Sequence, residues 1–327
     1  MKVGVVGTGG MGNVHARHYV NMPDVELYAY DRDLEKLGAF CKHHGAKKTD
    51  SYEDLLATCD IVDICLPTHL HKQFSLEAID AGKAVLLEKP MARTVEECRE
   101  ILDAANAKGV PFSVGHVVRF FPEHEKAHQV VVSGEIGDPA AVRMRRGGRA
   151  PVGSDGWFQN PELSGGVILD LGIHELDWLR WTLGECTQVF AQSVRANFPN
   201  LDSNVQGDYA LITLSFESGA IAHVEATWMD PSGFRTTLEV CGSKGLIDFD
   251  SRNAPSLRTH TDSGTRNETP NHVSTDPYYR QLRGFVDAVK NGTEPAVGGL
   301  DGLKAVAIAL AAIESAQTGK PVKPATS

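Results

Sequence analysis

The chain has 327 residues, 42% hydrophobic and 23% charged, with 32 Gly and 16 Pro; this composition excludes a disordered, collagen-like or low-complexity protein, and leaves room for about two domains of ~150 residues each. Its 42 acidic against 32 basic side chains give a formal net charge of −10, which leaves no basic field to gather a phosphate backbone and argues against nucleic acid as a partner. No run of about 18 apolar residues occurs, so no membrane partner is expected either.

The first six residues are too short for a signal-peptide core and run straight into a glycine loop. Six cysteines, Cys41, Cys59, Cys65, Cys98, Cys186 and Cys241, contain no C-x-x-C pair. A cytoplasmic protein with reduced thiols, no disulfide and no metal is the expectation.

From residue 2 to about 115, short runs of Val, Ile and Leu at 2–7, 25–31, 60–66, 84–88 and 110–114 alternate with segments of helical period such as 70–81 and 94–108. Continuous apolar strands joined by crossover helices predict a doubly wound parallel sheet, covered on both faces. After about residue 120 the strands lengthen and take period two, at 140–146, 188–196, 208–216, 220–228, 235–241 and 245–249. Glu217-Ser218-Gly219 and Gly242-Ser243-Lys244-Gly245 separate successive strands as hairpin turns would. The fold class expected is therefore α/β, a Rossmann-type doubly wound sheet over 1–118 followed by an α+β domain over 119–327 with an open, mainly antiparallel sheet. An amphipathic segment, 166–183, lies ahead of most of these strands, and 278–290 and the Ala-rich 300–317 read as closing helices, the last packing back on the first domain.

Gly7-Thr8-Gly9-Gly10-Met11-Gly12 matches G-x-G-x-x-G directly after an apolar strand and before a helical segment. The first glycine permits a tight turn, the second lets the backbone approach a pyrophosphate, and the third lets helix and strand pack closely, with the anion at the helix N-terminus. Asp31 lies 19 residues beyond Gly12, at the end of the second apolar run. A carboxylate there accepts the ribose hydroxyls and disfavours a 2′-phosphate, so NAD is favoured over NADP, although the adjacent Arg32 partly offsets that charge.

Leu66-Pro67-Thr68-His69-Leu70-His71 and Leu86-Leu87-Glu88-Lys89-Pro90 each end a strand on the carboxyl edge, where doubly wound sheets bind ligands. Lys89 is thereby expected near the nicotinamide, with Pro90 stopping the strand beside it. Farther on, Asp170, His174 and Asp177 stand at i, i+4 and i+7 and share one face of a regular helix. Two carboxylates flanking an imidazole suit a proton shuttle; a metal site or a solvated, salt-bridged face are the other readings of that spacing. Arg143, Arg145, Arg146 and Arg149 cluster on a period-two segment with Val142 and Met144 on the opposite side. Such clusters are usually solvated, with a clamp for an anionic substituent as the alternative.

Taken in order, Gly7-x-Gly9-x-x-Gly12, Pro67-Thr68-x-x-His71, Glu88-Lys89-Pro90 and Gly165-Gly166-x-x-x-Asp170-x-x-x-His174-x-x-Asp177 strongly resemble the Gfo/Idh/MocA oxidoreductases. The likeness spans nearly the whole chain and includes Tyr279, Gln281 and Phe285 near its end; the run Ser164-Gly165-Gly166 replaces the three glycines frequent in the family. The resemblance implies a sugar or cyclic polyol as substrate and Lys89, Asp170 and His174 as the catalytic set. On it, Asp170 holds the substrate, while either Lys89 or His174 is the base. Gly7, Gly9, Gly10, Met11, Gly12, Asp31, Arg32, Pro67, Thr68, His71, Glu88 and Lys89 would line the cofactor. His116, Arg119 and Trp157, with Phe120 beside them, would join the catalytic residues in contacting substrate. A homodimer or homotetramer through the second sheet is implied as well, since an uncovered sheet face of that size is expected to be sticky. A redox-assisted glycosidase, which returns its cofactor in every cycle, and a non-catalytic NAD-sensing regulator stand as the other two readings.

Overall fold

The computed structural model describes residues 1–151, 154–197, 206–230, 232–268 and 276–325. The chain divides into two compact units, Met1–Val117 with Thr275–Leu303, and Val118–Ser274 with Lys304–Ser327.

In the first unit, strands and helices alternate as β1 (Lys2–Val6), α1 (Gly10–Tyr19), β2 (Glu26–Tyr30), α2 (Leu34–His44), β3 (Lys47–Lys48), α3 (Tyr52–Thr58), β4 (Ile61–Ile64), α4 (His71–Asp80), β5 (Ala84–Leu87), α5 (Val95–Lys108) and β6 (Phe112–Val114). The six strands form one parallel sheet in the order β3-β2-β1-β4-β5-β6. The order reverses between β1 and β4, which puts a ligand crevice outside the carboxyl ends of those strands. β4 and β5 are buried at every position, as a sheet covered on both faces requires, and Asp63 of β4 is the one charged residue among them. Of the five predicted strands, all except the last begin within a residue of the predicted start, and all but β6 end one or two residues early, because Gly7, Asp31, Cys65, Leu66 and Glu88 turn out of the ladder into loops. β3 has no sequence signal: two exposed lysines pair with Tyr28 and Ala29 and so cap the sheet's edge with charge. The helix expected over 70–81 opens with a tight single turn, Thr68–Leu70, before α4.

The second unit contains α6 (Pro122–Val132), β7 (Pro139–Gly147), α7 (Pro161–Ser164), α8 (Ile173–Leu183), β8 (Cys186–Asn197), β9 (Gln206–Phe216), β10 (Ile221–Thr227), β11 (Arg235–Gly242), β12 (Gly245–Asp250), β13 (Leu257–Thr261) and β14 (Gly264–Glu268). Its eight strands run β14-β13-β12-β11-β7-β10-β9-β8, and both expected hairpins are present, β9 to β10 and β11 to β12. Every pairing is antiparallel except β7 with β10. β13 and β14 escaped the sequence reading because their residues, Leu-Arg-Thr-His-Thr and Gly-Thr-Arg-Asn-Glu, carry almost no alternating apolar side chains; pairing onto β12 makes them strands.

One face of this sheet is apolar, with Val142, Met144, Ile212, Leu214, Val224, Leu238 and Val240 all buried. The other is mostly polar: Arg143 pairs with Glu239, and Arg145 with Glu225 and Asp230, at 2.7 Å each for Arg145. Exposed Val194, Leu211 and Ile221 are scattered among these groups, so the expectation of a broadly sticky face is corrected to one of ion pairs with isolated apolar residues. Arg146 is corrected too: one residue out of phase with Arg145, it lies on the buried side with Val142 and Met144.

The last two helices are α9 (Pro277–Asn291) and α10 (Gly299–Thr318). Leu282, Phe285 and Val286 of α9 belong to the core built from Val3, Val5, Ala16, Tyr19, Leu37 and Phe40. Among the described residues, no helix is long and apolar enough to cross a membrane, and all six cysteines are free thiols.

Candidate active site

The glycine loop joins β1 to α1 at the sheet's carboxyl edge. Gly7 has φ +94°, and a Cβ there would lie 2.7 Å from the Cys65 carbonyl oxygen; at Gly12 it would lie 2.0 Å from the Gly7 carbonyl oxygen. Both positions therefore exclude a side chain. Gly9 and Gly10 differ, because a Cβ at either meets nothing within 4 Å: the chain does not need glycine there, but a group docking against the backbone does. Gly9 caps α1 without any side-chain hydrogen bond, which leaves the helix's first N–H groups directed at that space. Asn13 braces the turn from behind, its Nδ2 donating to the Thr8 and Gly9 carbonyls at 2.9 Å each. A dinucleotide pyrophosphate fits this cradle.

Asp31 sits beside the loop. Its Oδ2 accepts from Thr8 N at 2.7 Å and from Thr8 Oγ1 at 2.8 Å, and its Oδ1 accepts from Asp33 N at 2.9 Å. The carboxylate is thereby fixed in place, while neighbouring Arg32 is exposed.

After β4, Pro67 is half-buried and Thr68 buried. His71 is buried, with Nδ1 2.8 Å from the Pro90 carbonyl oxygen and Nε2 2.8 Å from that of Leu66. Burial lowers its pKa against the pull of those oxygens. The neutral ring has one N–H and donates to one of these two carbonyls, so His71 stands between two main-chain segments of the carboxyl edge and hydrogen-bonds to one of them.

Glu88 follows β5 and is only 5% exposed. Its Oε2 accepts from the Lys89 N–H at 3.1 Å, and its Oε1 lies 3.2 Å from His15 Nε2. His15, fully buried on α1, has Nδ1 2.8 Å from Asp63 Oδ2. Cys65 Sγ stands 3.4 Å from the same nitrogen and 3.5 Å from Asp63 Oδ1. Burial is the largest single influence and opposes charge on His15, but Asp63 and Cys65 together outweigh it and hold the imidazole well above its ordinary pKa. Burial would likewise raise Glu88, yet His15 brings it below the usual carboxylate value. The Cys65 thiol is pushed far up by burial, so at neutral pH it contributes a hydrogen bond rather than a charge. The sequence reading missed this cluster; its one signal was Asp63, a charge inside the apolar strand Ile-Val-Asp-Ile, which demands a buried partner. His116, at the end of the first unit, is fully buried.

In the second unit, Gly165 and Gly166 take φ +88° and +72° and lead into a wide turn, Ile168–Gly172, before α8 begins. Asp170 lies inside that turn, so the regular helix face expected to carry Asp170, His174 and Asp177 is corrected: one wide turn intervenes and re-aims Asp170 relative to the other two. Asp170 is 4% exposed and His174 half-buried.

Asp177 accepts from Arg119 at 2.6 and 2.8 Å. Arg119, expected to touch substrate, spends one edge of its guanidinium on this buried carboxylate and lies 5.4 Å from the Trp181 ring. Glu175 accepts from Arg146 Nε at 2.7 and 2.8 Å, and burial raises its pKa. Two buried ion pairs therefore anchor α8 at the turn that carries His174. Of the arginine cluster, Arg143, Arg145 and Arg146 all face carboxylates of their own unit, which removes the basis for an anion clamp among those three. Trp157 is half-buried and stacks on Phe158, ring centroids 3.9 Å apart.

Comparison with known proteins agrees with this fold. Residues 1–116 match the model of the "Oxidoreductase family, NAD-binding Rossmann fold", and residues 124–248 match that of the "GFO/IDH/MocA C-terminal domain". The chain is 30% identical to an uncharacterized oxidoreductase, YrbE, of Bacillus subtilis over 98% of its own length and 95% of that protein's. It is 28% identical to the myo-inositol 2-dehydrogenase of Thermotoga maritima, covering 99% of this chain and 98% of that one. Among solved structures, GenD2 from gentamicin A biosynthesis, in complex with NAD, superposes with a TM-score of 0.87 at 28% identity, covering 100% of this chain and 97% of its own. With an NAD-binding Rossmann domain ahead of the family's own C-terminal domain, the chain belongs to the GFO/IDH/MocA family of oxidoreductases.

Proposed function

We propose that the protein is a dehydrogenase that interconverts a secondary hydroxyl and a ketone, or a lactol and a lactone, on a sugar or cyclic polyol, with NAD as redox partner. The observation that carries this reading is the pairing of an open Gly9–Gly10 cradle with an anchored Asp31 carboxylate, which suits a ribose carrying free hydroxyls. The sugar or polyol class rests on the activity in the name of the Thermotoga relative.

Bound NAD would supply a hydride acceptor. Gly7 to Gly12, with Met11 among them, would seat its pyrophosphate, Asp31 its adenosine ribose, and Pro67, Thr68 and Glu88 the edge leading to Lys89. On this reading the Lys89 ammonium donates a hydrogen bond to the reacting hydroxyl oxygen, Asp170 holds a neighbouring hydroxyl, and His174 takes the proton as the C–H bond breaks. Positioned acid-base assistance of this kind supplies roughly 10²- to 10⁴-fold in rate. His116 and Trp157 belong to the same proposal as substrate contacts, while Arg119 would act from behind through Asp177. Free thiols fit the reducing cytoplasm, and assembly into a homo-oligomer would use the outer sheet face around Val194, Leu211 and Ile221.

The test is a panel of inositols, sugars and glycosides assayed for NADH appearance, with NADP⁺ in parallel. Lys89→Met and His174→Ala should each abolish turnover while the dissociation constant for NADH stays within about threefold. Full activity in both variants, or release of aglycone without net NADH, overturns the reading.

A further inference from the structure

We infer that His15 is a positioning residue: clamped between the carboxylates of Asp63 and Glu88, it holds the Glu88 side chain and, through it, the main chain at Lys89. Its catalytic consequence rests on the dehydrogenase reading; the clamp itself does not.

His15 stands three residues past Gly12 on α1, the helix that opens at the phosphate cradle, and is 0% exposed. Asp63 and Glu88 approach opposite nitrogens of the ring, at 2.8 and 3.2 Å. A neutral imidazole has one N–H and presents a proton to only one of two carboxylates; an imidazolium has two and presents one to each. The contact with Glu88 has ion-pair rather than in-line hydrogen-bond geometry, which is still strong between groups removed from water. The direction of both pKa shifts agrees: His15 is raised against its burial and Glu88 is lowered against its own.

The second oxygen of Glu88 then receives the Lys89 N–H at 3.1 Å. Space for the carboxylate is set by Gly115, where a Cβ would come within 3.0 Å of Oε1 and 3.2 Å of Cδ. Glu88 is therefore held by the imidazole at one oxygen, by the next residue's amide at the other, and by a packed backbone alongside. One short chain of contacts runs from the phosphate-binding helix to the backbone of Lys89, through His15 and Glu88. It couples the seat of the cofactor to the strand end that presents the ammonium, with an accuracy that a mobile loop would not give.

The experiment measures hydrogen exchange at the Lys89 amide in the cofactor-free full chain, for the native protein, His15→Gln and Glu88→Gln. Both variants should exchange at Lys89 about tenfold faster or more, while amides of β1 and β4 keep their native rates. Unchanged exchange at Lys89 overturns the clamp, and this readout needs no substrate, so it stands apart from any failure to find one. On an accepted substrate, His15→Gln should lower kcat by about tenfold or more with NADH affinity within about threefold, and the double variant should be no slower than the slower single one. Multiplicative losses in the double variant would overturn the proposal. Should His15→Gln fail to fold, Glu88→Gln alone carries the exchange test.

Discussion

Arg119 and Asp177 meet in a two-pronged ion pair, Nε to Oδ2 at 2.8 Å and Nη2 to Oδ1 at 2.6 Å, with the two residues only 6% and 0% exposed. The pair joins the segment after β6 to α8, three residues beyond His174. Removing one member of a buried pair strands the other charge, at a cost on the order of 3–5 kcal/mol. Asp177→Ala should therefore lower the thermal midpoint sharply. Arg143→Ala, which breaks an exposed pair with Glu239, should cost no more than about 1 kcal/mol. Calorimetry on the two variants would show whether burial decides the difference.

The glycine loop offers a sharper contrast. A methyl group at Gly12 collides with the Gly7 carbonyl oxygen, whereas one at Gly9 meets nothing of the chain. Gly12→Ala should lower stability by several kcal/mol. Gly9→Ala should leave the thermal midpoint of the cofactor-free protein unchanged and weaken NAD binding about tenfold or more, about 1.4 kcal/mol. Equal NAD affinity in Gly9→Ala and the native protein would place the pyrophosphate elsewhere.

Asp31 holds Thr8 and, on the proposed reading, faces the cofactor's adenosine ribose. Asp31→Ser should shift cofactor preference toward NADP by relieving repulsion of a 2′-phosphate, and should also weaken NAD, because the loop loses its anchor. The ratio of kcat/KM values for the two cofactors measures the first effect, and apo-state exchange at the Thr8 amide the second.

Two buried histidines should set opposite limbs of the stability profile. His124, among Phe121, Trp178 and Phe249, is pushed down to about 3 by burial and then by Arg146. The unfolded chain takes up that proton near pH 6.5 while the folded chain resists it, so stability falls as pH drops from about 6.5 toward 3. His15 is raised, so its contribution is full below the unfolded value of 6.5 and fades as pH rises through its elevated folded value. Urea unfolding of His124→Phe should show a flatter acid limb, and that of His15→Gln a flatter alkaline limb.

Much of this architecture was legible because it is local. Period and strand length announced the parallel sheet, and the glycine spacing announced the cradle, since each depends on neighbours within a few residues. The face assignment of Arg146 was not legible: a period-two run reports two sides, and only the placement of Glu175, 29 residues away, makes the apolar side able to accept a guanidinium. The regular helix drawn through Asp170 and His174 failed for a related reason, because residue spacing alone does not reveal that the turn over Ile168–Gly172 is wider than a regular one.

By itself, then, the sequence determined the alternation of elements, the phosphate loop and the carboxylate at the tip of β2, all of them properties of short stretches of backbone and side-chain period. Tertiary structure alone decided that β7 and β10 run parallel, that two polar segments complete the second sheet, and that His15, Asp63 and Glu88 share one buried cluster. Strand partners and charge partners distant in the chain are chosen by packing and desolvation over the whole unit, and a linear pattern carries no record of that choice.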